Sequence, residues 1–247
     1  MLALAGVGSM TRAETEDPRD VYHNVVIALD TAHDINNGQP SLLARWIEAL
    51  ELKPGDHVYH VGCGVGYYTA IMAEVVGTRG AVIAIDVNSE MAVRARENLA
   101  GYPNVTVYAG DGAAFDPGVC DAMLINAGVT HPHQAWLERL RKGSRLALPM
   151  TVAASPTAGQ GLIVRFTREG NGFSAQIVTF VGIISCTSVR DPQLEAVIAK
   201  AFASRTLFKM KSVRLDSHEP ADTCILHGSE ACVSSADLTR NSPTSAS

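Results

Sequence analysis

The chain has 247 residues, 47% of them hydrophobic and 18% charged. That length suits one α/β domain with extensions, and it can bury a substantial core. A formal net charge of −5 argues against a nucleic-acid binder driven by phosphate contacts, and no apolar run reaches membrane-spanning length.

Met1 to Met10 is apolar but short and lacks a basic start, so it does not read as a signal peptide. Residues 11–20 are polar and charged and read as a flexible lead-in. Val21 to Leu29 can pack as a short helix or strand. Asp34 to Pro40 is loop chemistry that ends in a proline suited to the first turn of a helix. Leu42, Leu43, Trp46, Ile47 and Leu50 then recur at helical spacing, and Pro54-Gly55 stops that helix.

The stretch from His57 to Thr69 begins as an apolar strand and ends as the first turn of a helix. Gly62, Gly64 and Gly66 lie between, each separated by one residue. A side chain at any of them would keep a ligand off the backbone or force a strained φ. The following helix presents free N–H groups and its positive dipole end to the turn. A dinucleotide fold reads G-x-G-x-x-G, whereas the pattern here is G-x-G-x-G followed by Tyr67 and Tyr68. The spacing therefore disfavours an NAD-dependent oxidoreductase.

Strand and helix patterns then alternate. Ala81–Ile85 is a second strand ending on Asp86, where a ribose-binding acid belongs. A helix runs over Ser89–Leu99 with Ser89 as its N-cap. Val105–Ala109 is a third strand closing on Gly110-Asp111-Gly112, and Asp121–Asn126 is a fourth. Pro132–Lys142 reads as a helix, with Arg139, Arg141, Lys142 and Arg145 as cations suited to its C-terminal end. Ser144–Pro149 is a fifth strand. Leu162–Thr167 and Phe173–Val181 flank Glu169-Gly170-Asn171-Gly172, a hairpin signal. Asp191-Pro192 opens a helix with Leu194, Val197, Ile198, Ala201 and Phe202 on one face. Lys211–Leu215, Thr223–His227 and Ala231–Ser234 read as short strands that could cover an acceptor pocket.

This pattern predicts a doubly wound, mostly parallel α/β sheet with an antiparallel edge hairpin and a C-terminal α+β extension. The expected divisions are a lead-in at residues 1–35, a ligand-binding domain at 36–185, a C-terminal subdomain at 186–236 and a flexible tail at 237–247. The cysteines at 63, 120, 186, 224 and 232 are scattered, odd in number and without a C-x-x-C pair. Neither zinc nor a disulfide framework is expected from them, and a reducing, cytoplasmic setting fits.

The series resembles the class I S-adenosylmethionine (SAM) methyltransferases, and more narrowly the protein-L-isoaspartate O-methyltransferase family. The carrying segments are Gly38-Gln39-Pro40-Ser41-Leu42-Leu43-Ala44-Arg45, the glycine turn with Tyr67 and Thr69-Ala70, Gly110-Asp111-Gly112 and Leu146-Ala147-Leu148-Pro149. They span roughly Asn36 to Met150, with weaker similarity to about Val181. The resemblance implies a Rossmann-like fold and SAM as cofactor. Gly62, Cys63, Gly64 and Gly66 should pass the methionine end. Asp86, with Val87 beside it, should meet the ribose. Asp111 and Gly112 should approach the adenine, with Asn126 at the neighbouring strand end. Gly38 and Gln39 would contact the acceptor, a protein, peptide or small molecule.

Three positions depart from the family. His60 stands where an acidic residue helps hold the cofactor's amino group. Gly38 replaces a serine associated with the active site. His131-Pro132-His133 follows the fourth strand and offers base chemistry that an ionised carboxylate acceptor does not need. His131 and His133 are the candidate catalytic residues for a hydroxyl acceptor, against a surface turn in which one histidine caps the next helix. A two-histidine metal site lacks an evident third ligand. His218 and His227 are further acceptor-side candidates. The first reading is a SAM-dependent O-methyltransferase of isoaspartyl type with a diverged acceptor. A small-molecule O- or N-methyltransferase and a non-catalytic scaffold protein remain as alternatives.

Overall fold

Apolar residues at both faces of His57–Val61 require a strand covered on two sides, and the computed structural model places it in the middle of the parallel part of a sheet. Residues 24–30 and 35–238 are described. The expected lead-in at residues 11–20 and nearly all of the expected tail lie outside them. The elements in order are β1 Ala28–Asp30, β2 Ile35–Asn36, α1 Pro40–Glu48, β3 His57–Val61, α2 Tyr67–Val76, β4 Ala81–Asp86 and α3 Ser89–Asn98. There follow β5 Val105–Ala109, β6 Cys120–Ile125, α4 Gln134–Glu138, β7 Leu140–Ala153, β8 Ala158–Glu169 and β9 Gly172–Ile184. The chain continues through α5 Pro192–Ala203, a 3-10 turn at Thr206–Lys209, β10 Ser212–Arg214, β11 Cys224–His227 and β12 Cys232–Ser234.

One ten-stranded sheet runs β11-β12-β10-β9-β8-β7-β6-β3-β4-β5. The pairs β3·β4, β4·β5, β3·β6 and β6·β7 are parallel; every pair from β7 outward to β11 is antiparallel. Helices α1 and α2 pack with Val58, Val82 and Leu124 on one face. Trp136 and Leu137 of α4 and Ile198 and Ala201 of α5 join Tyr59, Met123 and Ile125 in a separate core cluster. The chain steps from β3 to β4 to β5 and then returns to place β6 on the other side of β3. Ligands of open α/β sheets bind at such a reversal, outside the carboxyl ends of the strands.

Three local expectations are corrected. The N-cap of α3 is Asn88, not Ser89: the Asn88 Oδ1 accepts from the Glu90 and Met91 N–H groups at 3.0 and 3.2 Å. The helix expected over Pro132–Lys142 is only Gln134–Glu138, and Leu140 already opens β7. Of the basic residues only Arg139, the C-cap of α4, stands at the helix end; Arg141, Lys142 and Arg145 belong to β7. They lie beside a register shift in the β6·β7 pairing, where Gly143 has φ +83°. Arg139 pairs with Asp116, Arg141 with Asp121 and Arg145 with Glu51. Finally, the edge hairpin is longer than its sequence signal. Beyond the turn at Gly170, β8 and β9 pair all the way from Glu169↔Gly172 to Ala158↔Ile184.

The C-terminal strands extend this same sheet. Strand β10 pairs with β9, and Val213, Leu226 and Val233 share one hydrophobic cluster with Tyr59 and Met123. Asp191 caps α5 through the Gln193 and Leu194 N–H groups. Arg190 ties the helix to β7 by pairing with Glu195 and donating to Thr151 Oγ1 at 3.0 Å.

Candidate functional site

The turn after β3 is held in a left-handed conformation. Gly62, Gly64 and Gly66 have φ of +73°, +55° and +90°. A Cβ on Gly62 would lie 2.9 Å from the Asn126 carbonyl oxygen, and one on Gly66 would lie 2.6 Å from Leu99. At Gly64 the nearest atom among the described residues belongs to Leu29, at 3.8 Å, so the requirement there is the backbone angle. Asn126, at the end of β6, donates its backbone N–H to the Val61 carbonyl at 2.8 Å and its side-chain N–H to the Gly62 carbonyl at 3.2 Å. The two strand ends at the sheet reversal are thus locked together.

Asp86 ends β4 beside this turn. Its Oδ2 accepts from the Gly64 N–H at 2.7 Å and its Oδ1 from the Asn88 N–H at 2.9 Å. Burial raises its pKa, and these two donors work against that rise. An ionised carboxylate has about four lone-pair sites, so acceptor capacity remains for a ligand. Val87, next in sequence, presents an apolar side chain that is 60% exposed. Cys63 contributes only its backbone. Its side chain is buried against Ala84, Ala95 and Leu99, and burial pushes the thiol up to about 12.

His60 turns into the interior. It is fully buried, its Nδ1 lies 2.9 Å from Thr69 Oγ1, and its Nε2 has no hydrogen-bond partner. Burial lowers its pKa to about 3, so the ring is neutral at any ordinary pH. Asp111 Oδ1 accepts from the Ala113 N–H at 2.9 Å and from the Ser188 hydroxyl at 2.8 Å. Gly112 serves packing: a Cβ would meet Val61 at 2.5 Å, and its carbonyl accepts from the Tyr59 hydroxyl and the Trp136 indole, both at 2.9 Å.

Gly38 has φ +68°, and a Cβ there would meet Leu43 at 2.7 Å. That conformation suits glycine and resists the family's serine. Gln39 is exposed at the N-cap of α1 without a side-chain capping bond. Between α1 and α2 lies a mostly apolar groove of about 400 Å³, lined by Pro40, Ala44, Ile47, Tyr67, Tyr68 and Ile71, with Glu48 as its charged lining residue.

The two candidate histidines are brought together by a residue the sequence reading missed. Glu230 Oε2 lies 2.6 Å from His133 Nδ1 and 3.5 Å from His131 Nε2. It also accepts from the Gln134 N–H at 3.0 Å, so this carboxylate, and not a histidine side chain, caps α4. Burial opposes the charge on Glu230, but those donors outweigh it and hold its pKa below the usual value. His131 is buried, with Nδ1 2.9 Å from Thr130 Oγ1; burial lowers its pKa despite the carboxylate. The partners of both rings are Thr130 and Glu230 rather than the glycine turn. With Ala113, Ser188 and Arg190 they line a cavity of about 190 Å³. The third polar group that seemed missing is therefore present, supplied from a position 97 residues beyond His133. No local spacing signals it. Ser188, Thr69 and Asn88 were also missed; only Asn88, a strong capping type before a helix, carried a usable signal.

Reversed strand order, a glycine turn at the reversal and an acid at the next strand end define the Rossmann-like fold of SAM-dependent methyltransferases. A solved protein-L-isoaspartate O-methyltransferase superposes with a TM-score of 0.63 at 23% identity, over 78% of this chain and 60% of that one. A Plasmodium falciparum structure described as a protein-L-isoaspartate O-methyltransferase, in complex with S-adenosyl-L-homocysteine, gives 0.56 at 18% identity, over 67% of this chain and 81% of that one.

The chain belongs to the protein-L-isoaspartate(D-aspartate) O-methyltransferase family, whose model matches residues 9–188. It is 40% identical over 129 residues to the Ignicoccus hospitalis protein-L-isoaspartate O-methyltransferase, covering 49% of this chain and 61% of that protein. It is 33% identical over 168 residues to the Methanococcus aeolicus protein of the same name, covering 63% and 74%. The match thus spans about three fifths of the first of these relatives, and the family region ends before α5.

Proposed function

We propose that the chain is a SAM-dependent O-methyltransferase of the isoaspartyl type. The observation that carries this reading is the locked turn at Gly62, Gly64 and Gly66, with Asp86 beside it, in a chain of this family. The residues present fit the cofactor. Gly64 puts no side chain at the turn, the remaining lone pairs of Asp86 suit a ribose diol, and exposed Val87 offers an apolar surface for adenine. His60 replaces the family's acid with a buried, neutral ring whose Nε2 lacks a partner. The ring has no exposed surface, so as placed it offers that Nε2 to no ligand in the turn, and the expected contact of His60 with the cofactor's amino group is not formed.

Held by the turn and Asp86, SAM would supply a methyl group already activated as a sulfonium, with a neutral thioether as its leaving group. The chain's task is then to orient both partners, a contribution worth ~7–11 kcal/mol. An ionised carboxylate acceptor loses no proton in this step. The groove between α1 and α2 begins at Pro40, next to Gly38 and Gln39, to which the family resemblance assigns the acceptor, and its mostly apolar lining suits a peptide side of modest polarity.

A second reading concerns the acceptor alone. The His131–Glu230–His133 cluster favours a hydroxyl acceptor, whose proton a neutral His131 could take. Transfer of labelled methyl from SAM to an isoaspartyl peptide, run beside a panel of phenols and alcohols, separates the two. Saturable methylation of the peptide, unaffected by His131→Ala, supports the carboxylate acceptor. Turnover confined to hydroxyl compounds and lost in His131→Ala supports the diverged one. A folded chain that binds no SAM overturns both and leaves the scaffold reading.

A further inference from the structure

Four metal-ligand side chains converge beyond the family region. The imidazoles of His218 and His227 and the thiols of Cys224 and Cys232 place their ligand atoms within 4.8 Å of one another. We propose that these residues form a tetrahedral zinc site that staples the C-terminal strands. The spacing Cys224-x-x-His227 replaces the C-x-x-C pair whose absence argued against zinc.

The backbone builds this cluster deliberately. Residues three apart on a strand point to opposite faces, which would separate Cys224 from His227. A register shift in the β11·β12 pairing, between Cys224 and Leu226, returns both to one face. His227 stands directly opposite Cys232 across the same ladder. His218 comes from the loop after β10. Its Nδ1 lies 2.9 Å from the Asp216 carbonyl, which fixes Nδ1 as the donor and turns the bare Nε2 to Cys224 Sγ, 3.6 Å away. Such a carbonyl partner is the usual support of a metal-bound histidine. Cys224 Sγ also accepts from the Ala221 N–H at 3.3 Å.

The separations, from 3.2 Å between the two Sγ atoms to at most 4.8 Å across the cluster, bracket the edges of a tetrahedral site, so binding would part the sulfurs and draw the widest pair in, each by about 0.5–1 Å. Zn–S of about 2.3 Å and Zn–N of about 2.0–2.1 Å give tetrahedron edges of roughly 3.3–3.8 Å. The Sγ atoms of Cys224 and Cys232 are 3.2 Å apart, so both thiols are free. A disulfide between them would use neither histidine, whereas two thiolates and two imidazoles complete a closed structural zinc set. Residues 228–231 lie between two of the ligands and carry Glu230, so the metal would fix the loop that reaches His133 and the N-terminus of α4.

The test is metal analysis of the full chain, purified under reducing conditions, followed by titration of the metal-free protein with Co²⁺. About one zinc per chain is expected, with cobalt giving tetrahedral ligand-field bands and thiolate charge-transfer bands. His218→Ala and Cys224→Ser should each weaken cobalt binding by about tenfold or more, while Cys186→Ser should not. If Cys224→Ser fails to fold, the wild-type spectrum and His218→Ala still decide. Reduced protein that holds no zinc and gives no thiolate–cobalt band overturns the proposal, as does a Cys224–Cys232 disulfide in protein whose metal binding is indifferent to His218→Ala.

Discussion

The two ends of the sheet are built by different rules. From β3 to β6 the site is local: strand, turn and helix follow one another, and each polar residue sits where its own strand ends. Where the chain beyond β7 comes back against the loops after β5 and β6, the polar clusters are assembled from distant pieces. His133 meets Glu230, 97 positions away, and Asp111 meets Ser188, 77 positions away. The first kind of site is set by the ends of neighbouring parallel strands, where Gly64 meets Asp86 and Gly62 meets Asn126. The second depends on the long antiparallel strands and on whatever holds β11 and β12 in register.

The largest expected effect breaks the local site. Gly62→Ala puts a Cβ 2.9 Å from the Asn126 carbonyl in a left-handed backbone. We expect a loss on the order of 1–3 kcal/mol in chemical denaturation together with loss of SAM binding. A stable variant that binds normally would mean that the turn does not approach the ligand.

A second effect separates the interior from the surface. His60 is lowered to about 3 in the folded chain against 6.5 when free, so the unfolded state binds the extra proton first. Stability contributed by its neutrality is whole above about pH 6.5 and is lost as pH falls toward 3. Between pH 6.5 and 5 this amounts to about 2 kcal/mol. His131, also lowered by burial, acts in the same direction. Denaturation midpoints of the wild type and His60→Gln at the two pH values measure the difference. An equal acid loss in both would assign it to other groups.

The smallest effect probes the assembled site. If His131 accepts a proton from a hydroxyl acceptor, its lowered pKa keeps it unprotonated, and the acid limb of activity should lie below the ordinary histidine value of about 6.5. His131→Ala should remove that limb from the pH profile. A limb that persists in the variant would assign it to another group.

The same contrast explains what the sequence made legible. The alternation of strands and helices, the glycine turn and Asp86 could be read because each is a short-range pattern with one physical cause. The end of the α4 helix could not. Its apolar residues Trp136, Leu137 and Leu140 recur at helical spacing, yet Gly143 shifts the register and Leu140 pairs with Cys120 in the sheet. Glu230 and the Cys224–Cys232 approach were invisible because strand pairing, and not spacing, creates them. The role of His60 was legible only as a departure. That its ring would be buried against Thr69 depends on the packing of α2 over β3.

The turn after β3 and the carboxylate of Asp86 are proposed to hold SAM. Calorimetric titration of the full chain with S-adenosyl-L-homocysteine, in the wild type and in Asp86→Ala, tests this most directly. The account predicts one saturable site in the wild type. In the variant, lost charge-assisted hydrogen bonds should weaken binding by about tenfold or more, on the order of 1.5–3 kcal/mol. No binding by the folded wild type, or equal affinity in a folded Asp86→Ala, would contradict it.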